Sequence, residues 1–226
     1  MNRVRALVEG QTEEAFVREV LAPNLGVHGV FVSATRIGKP GRRGGVRPWP
    51  VVRNDILATL KQDRAVYCTT MFDYYGLPSD WPGTDGTRRK KLISTKAGEI
   101  QQAIQADVCN ELGETFDAQR FIPYIQMHEF EALIFSDTGV LAECLQRPDL
   151  QARLNTIVEE CGEPEGIDDH PETAPSKRIR ALVHGYQKVL HGVIAAKRIG
   201  LTTMREKCPH FAQWLGALEG LGEGSG

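Results

Sequence analysis

The stretch Arg5–Val17 reads RALVEGQTEEAFV, and it decides the fold. Val4–Val8 is a short apolar run of the kind that forms a buried strand. From Thr12 to Leu21 the apolar residues Ala15, Phe16, Val20 and Leu21 recur at helical spacing. Thr12 reads as the helix N-cap, and Glu13 and Glu14 suit the positive end of the helix dipole. Capping leaves Glu9 unexplained. It stands before the cap, at the end of the strand, where a turn needs no acid.

Working outward, the strand-then-helix alternation continues. Val27–Ile37 is β-rich, Pro50–Gln62 is helix-like, Ala65–Tyr75 (AVYCTTMFDYY) is a strand, and Lys96–Leu112 is a long amphipathic helix. Arg120–Met127 is a fourth strand running into HEFEALIFSD, His128–Asp137. This spacing predicts an α/β fold with a mostly parallel sheet covered by helices on both faces. GKPGRRGG (Gly38–Gly45) and GLPSDWPGTDGTRRKK (Gly76–Lys91) read as loops, rich in turn formers and basic residues. After Asp137 the pattern turns helical, over Val140–Cys161 and Pro175–Leu218. The expected division is an α/β core over 1–137, a helical extension packed on it over 138–219, and a disordered tail over 220–226.

A chain of 226 residues can bury a substantial core without disulfides or structural metal. Its formal net charge of -2 gives no global basic field, so any nucleic-acid contact must be local. The five cysteines are odd in number and show no C-x-x-C pair, which predicts reduced thiols and a cytoplasmic location. No segment approaches the roughly 20 apolar residues that cross a bilayer, and the N-terminus enters a strand-like run rather than a signal peptide. P-loop and G-x-S-x-G patterns are both absent.

In an open α/β sheet, ligands bind beyond the carboxyl ends of the strands. Acids fall at three such ends: Glu9 with Glu13 one helical turn on, Asp73, and Glu129 with Glu131. Carboxylates converging from separate strands suit Mg²⁺ or Mn²⁺, hard cations that take oxygen ligands and serve phosphoryl transfer. All but Glu9 also have a plain structural reading: Glu13 as a first-turn acid, Asp73 as a turn residue, Glu129 and Glu131 as solvated. His128 is a candidate general base or a satisfied buried histidine. Arg42, Arg43, Arg88, Arg89, Lys90 and Lys91 are loop cations suited to phosphate contact, or simply solvated. Lys177 and Arg178 follow Pro175 at a helix start, with Ser176 as the expected N-cap and a phosphate as the alternative occupant of that end. CPHF (Cys208–Phe211) lacks a second Cys/His pair and reads as core packing, as do Phe211 and Trp214.

The phrases VEGQTEEAFV, MFDYYGLP, HEFEALIFSD, PETAPSKRI and CPHFAQWL, in this order, resemble a bacterial family of unknown function with a Toprim-like fold. Toprim domains occur in topoisomerases, primases and nucleases of the OLD (overcoming lysogenisation defect) type. The resemblance implies a small parallel sheet flanked by helices and a divalent-metal site. Glu9 matches the glutamate after the first strand, and Glu13 a second acid that OLD-type nucleases carry on the next helix. Asp73 matches the first aspartate of the D-x-D motif, but its second place falls on Tyr75. Glu129 or Glu131 is then the expected replacement. The resemblance also implies an ABC/SMC-like ATPase partner and a role in phage defence.

Together these readings predict a metal-dependent nuclease or related phosphotransferase acting on DNA or RNA. The alternative is a non-catalytic subunit that binds an ATPase partner or nucleic acid, a reading the Tyr75 departure favours.

Overall fold

A computed structural model describes residues 1–38, 47–84, 93–167 and 173–223. The chain begins with β1 (Asn2–Val8) and α1 (Gln11–Phe16). A π-helical turn (Val17–Leu21) continues α1 into α2 (Ala22–Gly26). Next come β2 (Val30–Arg36), α3 (Trp49–Gln62), β3 (Val66–Asp73) and α4 (Ile93–Leu112). Two short strands follow, β4 (Phe121–Ile122) and β5 (Ile125–Gln126), then α5 (Glu131–Ile134). The remainder is helical: α6 (Thr138–Cys144), α7 (Gln151–Cys161), α8 (Pro175–Leu182), α9 (Val193–Lys207) and α10 (Pro209–Glu223). The expected α/β architecture with a helical second half is therefore present.

All strand pairings are parallel. The order is β2-β1-β3-β4, with β5 also pairing to β3. Alternate residues of β3 supply two cores. Tyr67 and Met71 face one that includes Phe16, Phe130 and Phe211, while Cys68 and Phe72 face another with Trp49, Trp81 and Ile104. Burial on both faces explains why most of the β3 sequence is apolar, Thr69, Thr70 and Asp73 excepted. Among the described residues, no helix is long and apolar enough to cross a membrane.

The expected fourth strand is broken in two, for a covalent reason. Pro123 has no N–H to give to the ladder. Threonine hydroxyls on β3 repair the gap. Thr70 Oγ1 accepts the Tyr124 N–H at 2.8 Å and donates to the Tyr124 carbonyl at 2.9 Å. Thr69 Oγ1 donates to the Ile122 carbonyl at 2.6 Å and accepts from Trp214 Nε1 at 2.8 Å.

Two capping expectations are corrected. The N-cap of α1 is Gly10, and Thr12 lies buried inside the helix. The N-cap of α8 is Ala174, which leaves Ser176 in the first turn. The tail expectation is corrected too. Residues 220–223 belong to α10, where the Asn2 side-chain amide donates to the Leu221 carbonyl and Gly222 lies against His28. Residues 224–226 lie outside the described set. CPHF packs as expected: His210 stacks on Tyr124 at 5.3 Å, and its Nε2–H donates to the Ile125 carbonyl. All five cysteines are free.

Candidate active site

Strand register brings the first acids together. Val8 pairs with Met71, so Glu9, the next residue, falls level with the end of β3, where Asp73 stands. The Asp73 N–H donates to the Glu9 carboxylate, while Glu9 Oε2 is shielded from solvent and has no hydrogen-bond partner. Burial, followed by repulsion from Glu13, pushes Glu9 up to about 7.

Glu13 reaches the same place from the first turn of α1. A β-carbon on Gly10 would lie only 2.9 Å from Glu13 Oε2, so the glycine makes room for that carboxylate to fold back over the helix start. Glu14 turns aside and pairs with Arg36 at 3.0 Å.

Asp73 Oδ1 accepts the N–H of Phe130 at 2.9 Å, which ties the end of β3 to the loop before α5. That loop delivers Glu131, whose side chain is fully buried and accepts from the Tyr186 hydroxyl at 3.4 Å. Burial raises both carboxyls, strongly so for Asp73.

The group that unites them is Lys188, from a π-helical turn before α9. Its Nζ lies 3.0 Å from Glu131 Oε2, 3.1 Å from Asp73 Oδ2 and 3.7 Å from Glu13 Oε1. Burial pulls the ammonium down, but Asp73, Glu131 and Glu13 more than reverse this and hold it charged. One ammonium serves this cluster of acids, and burial together with repulsion between neighbouring carboxylates keeps Glu9, Asp73 and Glu131 raised.

Other expected residues are placed differently. Glu129 is taken up by α8: Ser176 donates its N–H to Oε2 at 2.8 Å and its hydroxyl to Oε1 at 3.0 Å. The anion considered at that helix end is thus a carboxylate of the chain itself. His128 is buried in a left-handed backbone conformation (φ 58°), with its ring edge-on to Tyr74. Its carbonyl accepts the Tyr75 N–H at 3.0 Å. Tyr75, in the second place of the D-x-D, is 41% exposed. Lys177 is exposed, and Arg178 Nε donates to the Thr173 carbonyl. Arg42, Arg43, Arg88, Arg89, Lys90 and Lys91 lie outside the described residues.

Sequence reasoning missed Lys188 and Tyr186. GYQKVLHG carries no local signal beyond its two glycines, since one lysine in a polar helical half looks like any solvated lysine. A groove of about 580 Å³ is lined by Arg3, Arg5, Phe31 and Asp63 and by none of these acids.

The family model described as "Domain of unknown function (DUF4276)" matches residues 8–219. No curated protein and no solved structure matches the chain.

Proposed function

Taking as premise that the chain belongs to the DUF4276 family, we propose that it is a divalent-metal-dependent phosphodiesterase acting on nucleic acid, with the Toprim-like core its sequence resembles. One observation carries this reading: Glu13, Asp73 and Glu131 converge on a single positive group at the carboxyl edge of a parallel sheet, with the Glu9 carboxylate bonded to the Asp73 N–H beside them.

The donor set fits Mg²⁺ or Mn²⁺ in its chemistry. It consists of carboxylate oxygens alone, two of them, Glu9 Oε2 and Glu131 Oε2, without a hydrogen-bond partner, and the space between them already accepts a cation. Among the described residues, no three His, Cys, Asp or Glu side chains form a ready-made metal group, and Lys188 takes the central place. Asp73, Glu131 and Glu13 are the residues that would hold the ion. When bound, it neutralises charge on phosphate oxygens and lowers the pKa of water. Glu9, raised to about 7, is suited to take a proton at its unpartnered Oε2. Phe130 N–H and Tyr186 orient Asp73 and Glu131. The basic loop residues would guide the phosphate backbone. An ABC/SMC-like ATPase partner and a phage-defence setting belong to the same proposal.

A second reading is a non-catalytic subunit. It is favoured by Tyr75 in the place of an aspartate and by the ion pairs that already occupy the acids.

The test incubates the full chain with single- and double-stranded DNA and RNA in Mg²⁺ or Mn²⁺. Cleavage is expected, and its loss in Glu9→Gln and Asp73→Asn. Undiminished cleavage by both variants sinks the assignment. A folded wild type that cleaves none of the substrates supports the second reading.

A further inference from the structure

Resting on the metal reading above, we infer that Lys188 is a tethered stand-in for the divalent cation, displaced when the ion enters. Its ammonium meets carboxylates from three separate elements, α1, β3 and α5. Glu13 and Glu131 are sealed in, whereas the Lys188 side chain keeps 26% of its surface in solvent. The Lys188 side chain therefore has a path to solvent that Glu13 and Glu131 lack. The flanking residues Val189 and Leu190 are exposed, so the outer side of this segment is not packed against the fold. Lysine also carries its charge on a flexible four-carbon stem with no fixed fork geometry.

Charge decides the direction of the exchange. A single positive charge serves Glu9, Glu13, Asp73 and Glu131, whereas a divalent ion brings two into the same space. With Lys188 in place the acids stay assembled without metal. An incoming ion must then outcompete a group that is always at hand, so the apparent affinity falls by the fraction of molecules in which Lys188 has left.

The experiment compares the full-length wild type, Lys188→Met and Lys188→Arg. Each is titrated with MnCl₂ by calorimetry and melted without metal. In parallel, lysines of the wild type are acylated with and without Mn²⁺ and read site by site by mass spectrometry. Lys188→Met is expected to bind Mn²⁺ at least about tenfold tighter and to melt lower without metal. Lys188→Arg, which keeps the charge, stays within a few-fold of the wild type. Lys188 of the wild type is acylated faster once Mn²⁺ is bound. Equal or weaker Mn²⁺ binding by Lys188→Met overturns the inference and leaves the acid-site reading standing. Unchanged or slower Lys188 acylation at saturating Mn²⁺ does the same, and this readout needs no variant to fold. If neither the wild type nor any variant binds Mn²⁺, the inference and the metal reading fall together.

Discussion

Gly10 shows how much one missing methyl group sets at the residue scale. Its backbone is extended (φ -140°), so alanine fits the conformation. The added β-carbon, however, would meet Glu13 Oε2 at 2.9 Å. That oxygen ends a flexible side chain and can move away. Gly10→Ala is therefore expected to keep its stability within about 1 kcal/mol while shifting Glu13 from Lys188. Denaturant unfolding alongside Mn²⁺ titration checks this, and weakened metal binding at unchanged stability is the expected pair of results. The acids were legible here in part. Glu9 stood out because no capping role explained it, and Glu131 was one of two candidates. Choosing Glu131 over Glu129 needed Ser176, which lies 47 residues further along the chain and claims both oxygens of Glu129.

Elements are joined by polar groups wherever the backbone cannot join them. Pro123 interrupts the fourth strand, and Thr70 bridges the gap with two hydrogen bonds to Tyr124. Thr70→Val removes that hydroxyl from a buried site and should cost about 1–3 kcal/mol in urea unfolding. A second buried link is Glu165, which accepts the N–H groups of His210 and Phe211 at the start of α10. Burial outweighs these bonds and raises its carboxyl from 4.5 to about 7. The sign follows from the folded state holding the proton more tightly than the unfolded chain. This contribution to stability is fully present below about pH 4.5 and is lost as pH rises through about 7. Wild-type stability should thus fall between pH 5 and pH 7 relative to Glu165→Gln, by at most about 3 kcal/mol. Parallel unfolding curves for the two proteins at both pH values read it directly. Equal pH slopes in both would remove Glu165 as the cause.

At the scale of the whole molecule, the chain closes on itself. The last helix returns to the first strand and the turn before β2, with the Leu221 carbonyl bonded to Asn2 and Gly222 against His28. A β-carbon at Gly222 would collide with the His28 carbonyl, which is backbone and cannot swing aside. Gly222→Ala should cost about 1–3 kcal/mol, measurable as a lowered urea midpoint. Composition alone argued against order here, because GLGEGSG is rich in glycine and reads as a tail. Close helix–backbone approach requires one of those glycines, Gly222.

Taken by itself, the sequence determined the βα alternation, the parallel sheet and the carboxyl edge at which its acids collect. Hydrophobic periodicity is a local property, and strand ends follow from it. Only the tertiary structure decided which acids meet, that Glu129 serves α8, and that Lys188 stands at their centre. These outcomes depend on contacts across 47 residues, from Glu129 to Ser176, and across 115, from Asp73 to Lys188, and on buried charge being tolerated only with a partner. No local pattern records such a partner, because a lysine that leaves solvent for a carboxylate cluster looks the same in sequence as one that stays on the surface.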